Sequence, residues 1–300
     1  MLAGSRCRNL AMVPPETMMA ELNYEAEYDN RARVPEHAEI FLRWAREAEN
    51  YRVERLKAGR AELGLSYGES LRETVDLFLP DAADNAPVAM FIHGGWWRSL
   101  EPSSFSQMAR GLNVRGVTVA VAGYDLCPNI TIAGIVDQIR RACAFLWQRY
   151  QRRFFVYGHS AGGHLASAMV ATDWPSLYPK APADLVPAGY AISGVFDLSP
   201  LVGISVNQDL RLDAAEARRQ STAFWKPPAG RAFDAVVGGL ESGEFKRQSR
   251  LLADSWQQTG VPTRYEEIPG MNHFTVIDAL ADSQSAMVAR VAAMAQSITR

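Results

Sequence analysis

With 300 residues, 48% of them hydrophobic, the chain is long enough to bury a sizeable core as one large α/β domain. Its 31 basic and 33 acidic side chains nearly cancel and no basic block stands out, which argues against nucleic acid and membranes as partners and favours a small neutral substrate. Three cysteines, Cys7, Cys127 and Cys143, without metal-type spacing, argue against a disulfide framework and for a reducing, cytoplasmic compartment.

Residues 1–22 hold Arg6, Arg8 and two prolines but no continuous apolar segment. A flexible tail is expected there rather than a signal peptide, with Met18 or Met19 as alternative starts, and a single domain over 23–300. Within 37–57, Ile40, Phe41, Trp44, Ala45, Ala48 and Tyr51 recur at helical spacing between arginines and glutamates, the pattern of an amphipathic helix. Standing ahead of the first expected strand, this helix could cap a site.

Strand-like stretches follow at 73–79, 88–93, 117–122, 154–157, 188–193, 232–237 and 263–268, with helical patterns at 132–150, 161–171, 245–258 and 283–298. Such alternation predicts an α/β fold whose central sheet is mostly parallel, with helices on both faces and ligands bound at the carboxyl ends of the strands. The long irregular stretch 197–230, with Pro200, Pro227, Pro228 and a short helix at 213–220, is expected to form a lid or wall over the site.

The chemistry concentrates at Gly158-His159-Ser160-Ala161-Gly162, between an apolar β-type run and a helix rich in small residues. That context fits a strand–turn–helix elbow that lifts a serine clear of the sheet, with glycine wherever a β-carbon would collide with backbone. Directly after another apolar run stands His93-Gly94-Gly95-Trp96-Trp97. Its glycine N–H groups, with that of Ala161, could form an oxyanion hole, while His93 reads as structural.

A serine nucleophile needs a base, and the base needs an acid that orients it. Among the five histidines, His37 lies on the N-terminal helix, His159 inside the elbow and His164 one turn beyond it, which leaves His273 in a loop after the last expected strand. For the acid, Glu241 in the turn after the 232–237 strand is preferred over Glu244, which opens the next helix. Trp96, Trp97, Tyr124 and Phe274 are expected to form an aromatic box, with His159 among the substrate-binding residues.

Taken together, the motifs around His93, Ser160 and His273, with Ser193-Gly194-Val195-Phe196-Asp197-Leu198 and Glu244-Phe245-Lys246-Arg247-Gln248-Ser249, resemble the kynurenine formamidase (arylformamidase) branch of the α/β-hydrolases from about Asn23 onward. The resemblance implies Ser160 as nucleophile, His273 as base, Glu241 as acid, and Gly94, Gly95 and Ala161 as oxyanion contacts. In two places the chain departs from that pattern: glutamate stands at 241 where the family usually has aspartate, and tryptophan at 96 where it usually has tyrosine. The expected activity is hydrolysis of an N-formyl or short N-acyl arylamine through an acyl-enzyme. A carboxylesterase for aryl or short-chain esters and a non-catalytic ligand receptor are the alternatives. No metal or organic cofactor is implied, the partner is a small aromatic amide or ester, and a homodimer is compatible with the sequence.

Overall fold

Along the strand Val88–Ile92 every side chain is buried, yet alternate residues serve two separate cores. Val88, Met90 and Ile92 enter one and Ala89 and Phe91 the other, so the strand is apolar throughout because both faces of its sheet are covered. The neighbouring strand Thr118–Ala122 divides in the same way, with Ala120 and Ala122 on one side and Val119 and Val121 on the other.

The structure is a computed structural model that describes residues 22–82 and 84–298; apart from Leu22, the tail expected over 1–22 lies outside the described residues. Helices α1 (Tyr24–Tyr28), α2 (Asn30–Arg33) and α3 (His37–Lys57) precede strands β1 (Ala61–Ser66), β2 (Thr74–Phe78) and β3 (Val88–Ile92). A 3-10 segment (Pro102–Ala109) runs into α4 (Arg110–Val114), followed by β4 (Thr118–Ala122), α5 (Ile132–Tyr150), β5 (Phe155–His159), α6 (Ala161–Val170), α7 (Trp174–Leu177) and β6 (Ala188–Ile192). Then come α8 (Asn207–Leu210), α9 (Ala214–Gln220), β7 (Ala232–Gly238), α10 (Gly243–Gln258), β8 (Thr263–Ile268) and α11 (Ala286–Ile298).

The eight strands form one sheet in the order β1-β2-β4-β3-β5-β6-β7-β8. Pairing is antiparallel from β1 to β2 and from β2 to β4, and parallel everywhere else, so β2 alone runs against the rest. This is the mostly parallel sheet that the strand rhythm predicts. Consequently β3, β5, β6, β7 and β8 all end on one edge, and the loops that leave them converge there.

Helices α5, α6 and α10 cover one face through residues such as Ile139, Leu165 and Trp256. The opposite face is covered by α3, the 3-10 segment, α4 and α11 through Trp44, Phe105, Leu112 and Val291. Local signals set the helix ends: Thr131 caps α5 by accepting from Gly134 N at 3.1 Å, and Gln151 closes it in the left-handed region at φ +51°. In α3, Ile40, Trp44, Ala48 and Tyr51 form the buried stripe that the spacing predicts, whereas Phe41 is only half-buried and Ala45 is exposed. Trp44 Nε1 and the Arg43 guanidinium both donate to Asp278, at 2.8 and 2.6 Å, which ties this helix to the segment beyond His273.

Besides the short helices α1, α2, α7 and α8, three elements differ from expectation. Strand β1 is half exposed and its register breaks between Glu62 and Leu65, so it carries little of the apolar pattern by which a strand is recognised. The segment 102–114 is helical, with Pro102 at its start and Phe105, Met108, Ala109 and Leu112 buried at helical spacing. Helix α11 begins at Ala286, three residues later than the pattern suggests, because 282–285 turns back on itself through the Ser285 N–H to Asp282 O bond of 3.1 Å.

Phe91 lies at 0% exposure in the middle of the sheet, against Tyr157 and Phe105 at ring separations of 5.1 and 5.9 Å. Phe91→Ala is therefore expected to cost about 3–5 kcal/mol in unfolding free energy. Urea denaturation checks this, and a loss below about 1 kcal/mol would contradict the packing described.

Candidate active site

Ser160 stands between β5 and α6 with φ +55° and ψ −120°, a backbone conformation that L-residues rarely adopt. The flanking glycines make that conformation reachable. A β-carbon on Gly158 would lie 2.1 Å from Gly162 O, and one on Gly162 would lie 1.9 Å from Ile92 O. The turn is therefore packed both on itself and on the end of β3. Ser160 N donates to Ile192 O at 2.8 Å, which anchors the turn to β6.

After β3, His93 is fully buried between the rings of Tyr124 and Phe105, at centroid distances of 4.4 and 5.6 Å and nearly parallel to both. Its Nδ1 lies 2.7 Å from Gly94 O; a carbonyl only accepts, so Nδ1 carries the proton. Burial pushes the ring down to about 4, so His93 stays neutral and that tautomer persists. Because the peptide is planar and trans, fixing Gly94 O on the His93 side turns the Gly95 N–H to the other side. Gly95 itself lines the cavity, with φ +110° and no room for a β-carbon, which would meet Ser99 O at 2.3 Å. Gly94 packs against the elbow, where an added β-carbon would be 2.9 Å from Ser160 Cβ.

His273 and Glu241 approach from the ends of β8 and β7. His273 Nδ1 is 2.7 Å from Glu241 Oε2, and the two side chains are 5% and 0% exposed. The carboxylate accepts, so Nδ1 carries the proton and Nε2 is the free nitrogen of the ring. The imidazole is boxed by Phe245, His159 and Phe274 at centroid distances of 4.5, 4.8 and 5.5 Å. Its backbone is held as well, since His159 Nε2 donates to His273 O at 2.8 Å. Burial, and next the neighbouring His273, hold His159 well below the usual histidine range, which keeps it a neutral donor.

Glu244 does something different. At the start of α10 its carboxylate accepts from Tyr28 Oη at 2.7 Å and from the Arg247 guanidinium at 2.6 and 2.7 Å. It joins α1 to α10, and of the two glutamates only Glu241 touches His273.

A cavity of about 280 Å³ opens over Ser160, His159 and His273. Its walls include Trp96, Phe105, Phe274, Tyr28, Phe41 and Trp44, and Ile204, Ser205 and Val206 of the long irregular stretch also line it. Trp96 and Phe274 thus stand where the aromatic box was expected. Trp97 and Tyr124 do not: both are at 0% exposure and outside the cavity lining. Trp97, like Trp96 in the left-handed region, turns inward edge-on to His164 at 5.2 Å while its ring stays 6.2 Å from that of Trp96. Tyr124 instead donates to His93 O at 2.8 Å and braces the glycine loop from below. Lining residues missed from sequence include Tyr28, Asp29, Asn30 and Arg31 of the N-terminal segment, and Phe105. No motif marks the former, whereas the helical spacing after Pro102 could have exposed the latter.

Among known proteins, the family model described as BD-FAE matches residues 75–184. The kynurenine formamidase of Salmo salar is 32% identical over 229 residues, covering 73% of this chain and 77% of that one. That of Danio rerio is 28% identical over 228 residues, with the same coverage of 73% and 77%. A crystal structure from Silicibacter sp. TM1040, provisionally named a thioesterase, is 33% identical and covers 90% of this chain and 99% of its own, with a TM-score of 0.80.

Two expectations follow from this geometry. Glu241→Gln should lower kcat by orders of magnitude with little change in KM, whereas Glu244→Gln should act chiefly on thermal stability; steady-state kinetics with melting curves separate them, and the reverse ranking would reassign the acid. His93 and His164 are each lowered from 6.5 to about 4 by burial, so between those pH values the unfolded chain binds protons that the folded one refuses. Stability should therefore fall as pH drops from about 6.5 towards 4, and unfolding midpoints that stay flat across that window would contradict the neutral buried histidines.

Proposed function

The chain belongs to the kynurenine formamidase family of the α/β-hydrolases, a hydrolase of amide or ester bonds, and on that premise we propose that it cleaves an N-formyl or other short N-acyl arylamine. The observation that carries the reading is one cavity that joins Ser160 to the Glu241–His273 pair under a wall of aromatic rings. His273 Nε2 takes the proton of Ser160 Oγ as the oxygen attacks the substrate carbonyl. Glu241 holds the Nδ1–H and stabilises the imidazolium that results. The oxyanion falls to backbone N–H groups of the glycine loop, Gly95 foremost with Gly94 beside it, and to that of Ala161 at the start of α6, where the helix dipole adds to the field. His273 then returns the proton to the leaving nitrogen. Water, deprotonated by the same imidazole, releases the acyl group and restores Ser160.

The cavity supports an aryl substrate on size and lining. At about 280 Å³ it suits one substituted ring with a short acyl group rather than a long chain. Trp96 contacts Tyr28 edge-on at 5.6 Å, so the ring at the mouth is held in place before substrate arrives. Hydrolysis of aryl or short-chain esters is the second reading, favoured by the likeness to the Silicibacter protein and by machinery that serves either leaving group. No helix among the described residues is long and apolar enough to cross a membrane. The free thiols Cys127 and Cys143 support a reducing, cytoplasmic setting.

A panel that pairs N-formyl and N-acetyl arylamines with matched aryl and alkyl esters tests the proposal. Aryl substrates should exceed alkyl ones of equal size in kcat/KM, and Trp96→Ala should narrow that gap by roughly 3- to 10-fold, as the loss of an aromatic contact implies. Faster turnover of straight-chain alkyl esters, unchanged in Trp96→Ala, would replace the arylamidase reading with a general esterase.

A further inference from the structure

Ser193 follows β6, is at 0% exposure and lies outside the cavity lining, so it touches no substrate. Its backbone is nevertheless held at φ +54°, in the left-handed region where any side chain is disfavoured and glycine is the usual occupant. The serine N–H donates to Val236 O at 2.7 Å, which pins that conformation to β7. The side chain retained at this cost makes one hydrogen bond: Ser193 Oγ donates to Glu241 Oε1 at 2.5 Å.

We propose that Ser193 is a positioning residue that fixes the plane of the Glu241 carboxylate and thereby aims Oε2 at His273. The proposal rests on the serine-hydrolase reading above. A glutamate has one more rotatable bond than the aspartate usual in this family, so its carboxylate needs a further restraint to present one oxygen in one place. Two donors supply it. Oε1 accepts from Ser193 Oγ and, at 2.6 Å, from Gly238 N, which leaves Oε2 for His273 Nδ1 at 2.7 Å. Gly238 permits the approach, because a β-carbon there would lie 2.9 Å from Glu241 Oε1 and 2.4 Å from Met271 O. The end of β7 and the loops after β6 and β8 thus meet at a single carboxylate, each contributing one donor.

Ser193→Ala removes the hydroxyl, and Ser193→Gly removes it while also relieving the left-handed backbone, so a matched effect of the two isolates the hydrogen bond from the strain. Each should lower kcat by roughly 10- to 100-fold, the scale of a misplaced catalytic group, with KM changed less than about 3-fold. The distinguishing measurement is a double-mutant cycle with Glu241→Gln. If Ser193 acts only through the carboxylate, adding Ser193→Gly to Glu241→Gln should cost less than about 3-fold more. Near-normal kcat in both single variants, or a loss that multiplies in full on the Glu241→Gln background, would overturn the proposal. Ser160→Ala run alongside keeps the two readings apart: normal activity there would remove the serine-hydrolase assignment itself, whatever the cycle shows.

Discussion

The contact between Gly162 and the end of β3 is the constraint on which the site depends. A backbone that passes so close to Ile92 O fixes the elbow against the central strand, and with it Ser160 and the first N–H of α6. The same strand end issues the glycine loop, so Gly95 and Ser160 are referenced to one piece of sheet. Such close backbone packing leaves few ways for Ser160 to drift relative to Gly95. The strain at φ +55° is supported by a ladder bond to β6 on one side and by a buried helix on the other.

Around this fixed point the remaining groups are oriented by buried hydrogen bonds whose donor and acceptor roles admit one assignment. Carbonyl and carboxylate acceptors specify the protonated nitrogen of His93, His159 and His273 in turn. Burial holds the first two neutral, so their tautomers do not change through the physiological range. Proton traffic is thereby confined to the Nε2 side of His273, where Ser160 shares the cavity. At the mouth, α1 is fastened by Tyr28 and Glu27, which bond the Glu244 carboxylate and the Glu244 N–H at 2.7 and 2.9 Å. This places an N-terminal segment in the cavity wall although it stands far from the motifs in the chain.

What the sequence reveals follows from how each feature is encoded. The elbow at Ser160 and the contact of His273 with Glu241 are legible because the strand–turn–helix, the post-strand loops and the chain order each demand particular residue types. Strands buried on both faces are legible as apolar runs, whereas half-exposed β1 offers no such run. Trp97 and Tyr124 show the limit: their identity marks an aromatic cluster beside the glycine loop, but the direction of a ring depends on φ values that composition does not disclose. The N-terminal wall escapes for a related reason, since Tyr28 enters the cavity only through the folded contact of α1 with α10. Ser193 belonged to a visible motif, yet its link to Glu241 spans 48 residues and appears only once β6 and β7 lie side by side.

The central claim is that Ser160 is activated by His273 to form an acyl-enzyme. Its most direct test is the rate of covalent labelling by a fluorophosphonate, followed by intact-mass and peptide mass spectrometry. One adduct per chain on the peptide containing Ser160, formed rapidly in the parent enzyme and slowed by orders of magnitude in His273→Ala, is the predicted result. An adduct on another residue, or labelling of Ser160 at an unchanged rate without His273, would contradict the account.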